Sequence, residues 1–303
     1  VKEIISAIDL GTNSARLLIG FRDKEESIKP VLLMRHITRL GGGFKKETGI
    51  SAMAGERTIN ALHDFADHMK RHGVTRYRAV ATSAVREAVN GEKFVGDVFK
   101  KTGIALEIID GTEEALLTLR GVISGLDDKR DDFLVFDVGG GSTEYTLAKG
   151  ETPLFTMSLP LGVVRLTEGK GSCAAMDEKI TRELMKVLAD VDKAGLTGIL
   201  EDATLVGTAG TATTLAAIRL KMEEYDYRRV NNYCLTLDDV KAIYLELLPM
   251  TLEERLKVPG LEKGREDLII AGALITVRTM EIFGFRQLKV SDCGLLEGIM
   301  LSV

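Results

Sequence analysis

Asp137-Val138-Gly139-Gly140-Gly141-Ser142-Thr143-Glu144 lies between two apolar runs, residues 133–136 and 145–148. The pattern reads as strand, glycine-rich turn, strand. Three consecutive glycines can take backbone angles that other residues avoid, and they let a ligand approach the main chain. A turn of this kind can aim several N–H groups at one anion. Asp137 and Glu144 bracket those donors with two carboxylates, which suit a cation riding on phosphate. A nucleotide or polyphosphate site is the chemistry this combination serves.

The same grammar occurs near the start of the chain. Residues 4–8 read as a buried strand, Asp9-Leu10-Gly11-Thr12-Asn13-Ser14 as a turn, and 15–21 as a second strand. Asp9, Gly11 and Ser14 match Asp137, Gly139 and Ser142 at an offset of 137 − 9 = 128 residues. A device repeated at that separation predicts two similar halves. Glycine and serine are also common in ordinary hairpins, which is the plainer reading. The recurrence of Asp and Ser at matched places favours duplication.

Composition narrows the class. At 303 residues the chain is long for one core, so two domains are expected. A net charge of −5 gives no general basic surface for nucleic acid, and the absence of Trp with 5% aromatic residues weakens any base-stacking platform. Three cysteines, Cys173, Cys234 and Cys293, are far apart and show no CxxC spacing, which fits a reducing cytoplasm. Residues 1–5 read directly as strand, so no secretory leader is expected. The longest strongly apolar stretch, 268–277, is too short to span a bilayer.

Strand-like and helix-like segments then alternate, which predicts an α/β fold. Residues 31–37 read as a third strand, followed by Gly41-Gly42-Gly43 and Lys45-Lys46, a basic loop that is either solvated or in contact with an anion. An amphipathic helix is expected over 56–72, with Ile59, Leu62, Phe65 and Met69 on its apolar face. His68 and His72 lie four residues apart on the other face, a metal pair or a solvated surface. A strand over 77–81 runs into Thr82-Ser83-Ala84-Val85-Arg86. Ser83 can cap the helix it opens, and Arg86 in the first turn suits a phosphate. After a strand over 105–109, Asp110-Gly111-Thr112-Glu113-Glu114 starts a helix with Thr112 as N-cap. Glu113 and Glu114 are either capping acids or contain a general base. Further helices are read over 172–192, 236–248 and 265–283. Residues 225–233 read as irregular and 251–255 as part of a loop-rich connection. Gly207-Thr208-Ala209-Gly210-Thr211 forms a third small-residue turn opening a helix, so Gly210 and Thr211 are phosphate candidates.

Taken in order, Asp9 to Ser14, Ala81-Thr82-Ser83-Ala84-Val85-Arg86, Gly111-Thr112-Glu113-Glu114-Ala115, Asp137 to Glu144 and Val290-Ser291-Asp292-Cys293-Gly294 resemble the exopolyphosphatase/guanosine pentaphosphate phosphohydrolase family over essentially the whole chain. The resemblance implies two ribonuclease-H-like domains of the actin-like ATPase superfamily, with mixed sheets flanked by helices and the active site in the interdomain cleft. The expected domains are 1–117 plus 295–303, and 118–294. It implies Glu114 as general base, choosing between the two acids, and Arg86 as a catalytic residue that contacts phosphate. Asn13, Ser14, Gly139, Gly140, Gly141, Ser142 and Thr143 are the implied phosphate contacts, beside the candidates Gly210 and Thr211 read from the third turn. Asp137 and Glu144 are the implied ligands of Mg2+, or another divalent cation such as Mn2+. Terminal orthophosphate would be released from polyphosphate or guanosine pentaphosphate. The alternatives are an alarmone-binding regulator and a kinase or ATPase of the same superfamily. A homodimer is a possible assembly. The family often carries Arg where Leu116 stands, which bears on a substrate contact and not on the base.

Overall fold

The computed structural model describes residues 3–23, 28–43, 47–127, 132–169 and 172–303. It divides into two compact units, Val1–Ser124 with Gly294–Val303, and Gly125–Cys293.

In the first unit, β1 (Ile5–Leu10), β2 (Ser14–Arg22) and β3 (Ile28–Ile37) form a meander. They are followed by α1 (Ala52–Arg71), β4 (Arg76–Ala81), α2 (Ser83–Arg86), α3 (Gly91–Thr102), β5 (Glu107–Ile108) and α4 (Gly111–Gly125). The sheet order is β3-β2-β1-β4-β5. β1–β2 and β2–β3 are antiparallel, and β1–β4 and β4–β5 parallel.

The second unit contains β6 (Asp132–Val138), β7 (Thr143–Lys149), β8 (Thr152–Leu159), α5 (Val163–Gly169), α6 (Cys173–Lys193), α7 (Thr197–Asp202), β9 (Thr204–Thr208) and α8 (Ala209–Arg219). It continues with α9 (Tyr227–Val230), β10 (Cys234–Thr236), α10 (Leu237–Leu247), α11 (Leu252–Arg255), α12 (Ile269–Ile282) and β11 (Gln287–Val290). Its sheet order is β10-β11-β9-β6-β7-β8. Read from β8, the pairing senses repeat those of the first unit, and β10 is an added antiparallel edge. The 128-residue echo in the sequence is therefore a duplicated ribonuclease-H-like sheet. The chain returns to the first unit as α13 (Leu295–Leu301).

Both faces of the first sheet are covered. Ile8, Leu10, Leu17 and Ile19 pack with Leu62, Phe65 and Phe94 on one side. Ile5, Ala7, Leu18 and Val80 pack with Leu117, Leu295, Leu296 and Ile299 on the other. One large core in the second unit joins Phe136, Tyr145 and Leu147 to α6, α8, α10 and α12. α12 is buried all round from Ile269 to Val277 and nearly all apolar there, while Arg278 and Glu281 near its end are partly exposed and form ion pairs. Among the described residues no helix is long and apolar enough to cross a membrane.

Local chemistry moves several expected boundaries. Ser51 caps α1, so that helix starts before residue 56. The strand read over 105–109 pairs with β4 only through Glu107 and Ile108. Thr112 is not the cap of α4. The Asp110 carboxylate accepts the N–H groups of Thr112 and Glu113 at 2.9 and 2.8 Å. Ser83 is the first residue of α2 and makes no cap; Thr82 holds the N-cap position without a side-chain bond. Because α2 is only four residues long, Arg86 is also in its last turn, where a cation is not misplaced. Residues 251–255, read as loop, contain α11, closed by a reciprocal Thr251–Glu254 capping box. The irregular stretch 225–233 contains α9. α4 is continuous to Gly125, and Leu117 belongs to the core of α13. The compact units therefore meet at Ser124/Gly125 rather than at 117/118.

Candidate active site

The two repeated turns close identically. Gly11 N–H donates to Ser14 O at 3.0 Å, and Gly139 N–H donates to Ser142 O at 3.0 Å. Each is then held from behind by the segment that follows the third strand of its unit. In the second unit, Gly139 O accepts from Val163 N–H (3.0 Å), Gly140 O from Val164 and Arg165 N–H (2.9 and 3.2 Å), and Gly141 O from Arg165 Nε (2.8 Å). In the first, Thr12 O accepts from Gly41 N–H (2.9 Å), and Asn13 O from Thr38 and Arg39 N–H (3.0 and 2.8 Å).

Peptide planarity converts this into a statement about donors. In a trans peptide the N–H points opposite the preceding C=O. Carbonyls turned toward the supporting segment therefore aim the amides of Gly140, Gly141 and Ser142, and of Asn13 and Ser14, the other way. Successive amides aimed to one side in this way have the geometry of a backbone nest, the kind of concavity that can take an anion. The support needs glycine: a Cβ on Gly162 would lie 2.1 Å from Gly140 O, and one on Gly41 would lie 2.3 Å from Thr12 Cγ2. Gly41, read from sequence as part of a solvated loop, is thus buried against the turn; Lys45 and Lys46 lie outside the described residues. Thr143 also departs from expectation. It faces the core, is fully buried, and its hydroxyl donates to Leu161 O, so that hydroxyl is not turned to a ligand. Gly139 spends its N–H on closing the turn. The Asn13 Oδ1 is buried with no hydrogen-bond partner.

Strand register places a row of polar groups beside each turn. In the first unit Asp9, Arg16 and Arg35 are directly opposed across β1, β2 and β3. Arg16 Nε and Nη2 both donate to Asp9 Oδ2, at 2.9 and 2.7 Å, so the acid is neutralised in place. In the second unit the row is Asp137, Glu144 and Ser158 across β6, β7 and β8. Glu144 is 3% exposed and accepts from Ser158 Oγ at 2.7 Å. Two like charges directly opposite on neighbouring strands are unfavourable, and burial raises the cost. The acid beside the first turn is thus matched by an arginine, whereas the second turn has two carboxylates at directly opposed strand positions.

Beside the first turn, the Thr12 and Ser83 hydroxyls share a hydrogen bond of 2.9 Å, tying the turn to the end of β4. Three residues on, Arg86 Nη1 donates to Glu114 Oε2 at 3.0 Å and to Ile109 O at 2.8 Å. The neighbouring acids separate clearly. Glu114 is 8% exposed, whereas Glu113 lies at the surface on Arg78 Nη2 at 2.5 Å. Asn13, Ser14, Arg86 and Glu114 thus gather at the carboxyl ends of β1 and β4, where parallel strands of α/β sheets bind ligands.

A model of the Ppx/GppA phosphatase family matches residues 21–303. The chain belongs to the Ppx/GppA phosphatase family. Exopolyphosphatase 2 of Mycobacterium tuberculosis is 35% identical over 99% of this chain and 98% of its own length. A bifunctional 3-dehydroquinate synthase/phosphatase of Fusobacterium nucleatum is 33% identical over 98% of this chain, which spans 46% of that longer protein. The solved PPX-GPPA enzyme of Aquifex aeolicus aligns over all of both chains at 32% identity with a TM-score of 0.79. An exopolyphosphatase from Cytophaga hutchinsonii aligns over 99% of this chain at 25% identity with a TM-score of 0.90.

The third turn of this family member is more constrained than its sequence suggests. Ala209, the first residue of α8, takes a left-handed φ of 60°, a strained conformation for a residue with a side chain. A Cβ on Gly210 would lie 2.0 Å from both terminal nitrogens of Arg265, so the guanidinium rests on the bare Cα. The Thr211 side chain packs on Gly272 of α12 and is 5% exposed, and the Gly210 carbonyl accepts from Thr214 Oγ1 at 2.6 Å. Arg16, Arg165, Arg265 and Ser158 are placed at these turns without having been read from the sequence. Arg16 follows the first motif by two residues, while the others carry no local signal. Among the described residues no group of three or more His, Cys, Asp or Glu could hold a metal. His68 instead lies 3.7 Å from Asp64, whose other oxygen is 2.9 Å from His36.

Asp137 and Glu144 nevertheless fit the cation that the family implies. Mg2+ takes one or two carboxylates and completes its octahedron with water and substrate phosphate oxygens. A two-carboxylate site beside a phosphate nest supplies that donor set, and Mn2+ accepts the same ligands.

Proposed function

We propose that this chain hydrolyses terminal phosphoanhydride bonds, releasing orthophosphate from inorganic polyphosphate, with guanosine pentaphosphate as a further substrate of the same bond type. The observation that carries this reading is the pair of glycine turns whose carbonyls are occupied from behind, so that their amides are free to hold phosphoryl oxygens. The similarity over nearly full length to an exopolyphosphatase supports polyphosphate as the substrate.

The geometry supports the following roles. The amides of Asn13 and Ser14, and of Gly140, Gly141 and Ser142, are preorganised donors, stabilising charge without reorganising during reaction. Arg86 holds the Glu114 carboxylate in one orientation. Glu114 accepts a proton from the attacking water as its oxygen bonds to the terminal phosphorus. The bridging P–O bond breaks, and the shortened chain leaves with that bridging oxygen. Asp137 and Glu144 would hold Mg2+ or Mn2+, which when bound supplies charge neutralisation on the phosphates.

Phosphate release from polyphosphate in the presence of Mg2+ tests the reading. Glu114→Gln is expected to lower kcat by about 10^2- to 10^4-fold, the usual contribution of a general base, with the melting temperature retained. Wild-type turnover in that variant removes Glu114 from the role. Comparing kcat/KM for polyphosphate and guanosine pentaphosphate side by side assigns the preferred substrate.

A further inference from the structure

The row across β6, β7 and β8 contains a residue that the proposed chemistry has not yet used. Ser158 sits on the edge strand, exposed as a residue, yet its Oγ donates to Oε1 of the buried Glu144 at 2.7 Å. Glu144 and Ser158 are direct cross-strand partners, so the contact follows from the sheet register and not from a mobile loop. A serine hydroxyl has one proton to give. Given to Glu144, it fixes rotation of the carboxylate. The corresponding place in the first unit is Arg35, opposite Arg16, where no carboxylate pair exists.

We infer that Ser158 is a positioning residue for the cation-binding carboxylate of Glu144, an inference that rests on the reading of Asp137 and Glu144 as cation ligands. Outer hydrogen bonds of this kind orient metal-ligating groups, and their loss costs metal affinity. Ser158 itself touches neither the cation nor the substrate. Its exposure means that replacing it leaves the core intact.

Mn2+ binding, measured by the electron paramagnetic resonance of the free ion without substrate, tests the inference on wild type, Ser158→Ala, Ser158→Thr and Glu144→Gln. Ser158→Ala is expected to weaken Mn2+ binding about tenfold and to raise the half-saturating Mg2+ for phosphate release by a similar factor. The loss of rate should disappear as Mg2+ saturates, and Ser158→Thr should restore both values. Wild-type Mn2+ affinity in Ser158→Ala, with affinity lost in Glu144→Gln, overturns the role of Ser158 and leaves the cation site standing. Wild-type affinity in Glu144→Gln overturns the cation site and the inference with it.

Discussion

Glu113 and Glu114 differ by one position and by everything that surrounds them. Glu113 shares Arg78 with Glu107 at the surface, and Glu114 is buried against Arg86. Glu113→Gln should therefore leave turnover within about twofold and cost no more than about 1 kcal/mol of stability, as for other exposed pairs. Arg86→Gln removes a charge-assisted bond worth about 1.5–3 kcal/mol, which corresponds to a loss of roughly 10- to 100-fold in kcat if it acts on the transition state. Steady-state kinetics on the two variants separates the outcomes, and equal losses would mean that neither acid is distinguished by its partner. The motif Gly-Thr-Glu-Glu-Ala did not by itself tell these acids apart. The Thr143 hydroxyl was misread for a related reason. Strand alternation sends that side chain into the core, where Leu161 takes its proton.

The two short segments after β3 and β8 hold the carbonyls of the two turns, as the proposed anion sites require. Five carbonyls accept from them, and without those bonds the same loops could rotate their peptides. Gly162→Ala tests this at the tighter place, since the added carbon would meet Gly140 O at 2.1 Å. Overpacking of this kind costs about 1–3 kcal/mol. KM for polyphosphate is expected to rise roughly tenfold as the nest amides lose their alignment, each misaligned charge-assisted bond costing about as much. Kinetics together with a urea midpoint check both effects. An unchanged KM in a destabilised but folded protein would confine Gly162 to packing. None of this support was legible from the turn motif, because Arg165 lies 24 residues beyond the carbonyl it holds.

At the scale of the molecule, carboxylates outside the site set the acid limit. Burial alone would raise the Asp239 carboxyl, but the Thr236 backbone N–H, the Thr236 hydroxyl and the Arg219 guanidinium outweigh it and hold it below the ordinary range. Glu281 behaves likewise: Lys241 and Arg278 overcome burial. A carboxyl depressed in the folded state stabilises above its unfolded pKa and loses that contribution as pH falls through its folded value. The melting temperature should therefore be nearly flat from pH 7 to pH 5 and fall below roughly pH 4, where unfolded carboxyls begin to bind protons. Asp239→Asn should lower the melting temperature at pH 7, through loss of the α10 capping box and an ion pair, and shrink the acid-induced fall. A fall of wild-type size in that variant would place the acid sensitivity elsewhere.

The sequence by itself determined that this protein is a duplication. It also singled out the two turns and the short acidic stretch on which the proposed phosphate contacts and general base rest. Those features are local: Asp, Gly and Ser within a few residues specify a strand–turn–strand unit wherever the chain carries them. Only the tertiary structure decided which way the turn amides point, that Arg86 meets Glu114, and that Asp137, Glu144 and Ser158 stand in one row while Asp9 is cancelled by Arg16. Each of these depends on strand register or on a contact made from another element, and side chains acquire such neighbours only once the sheets have formed.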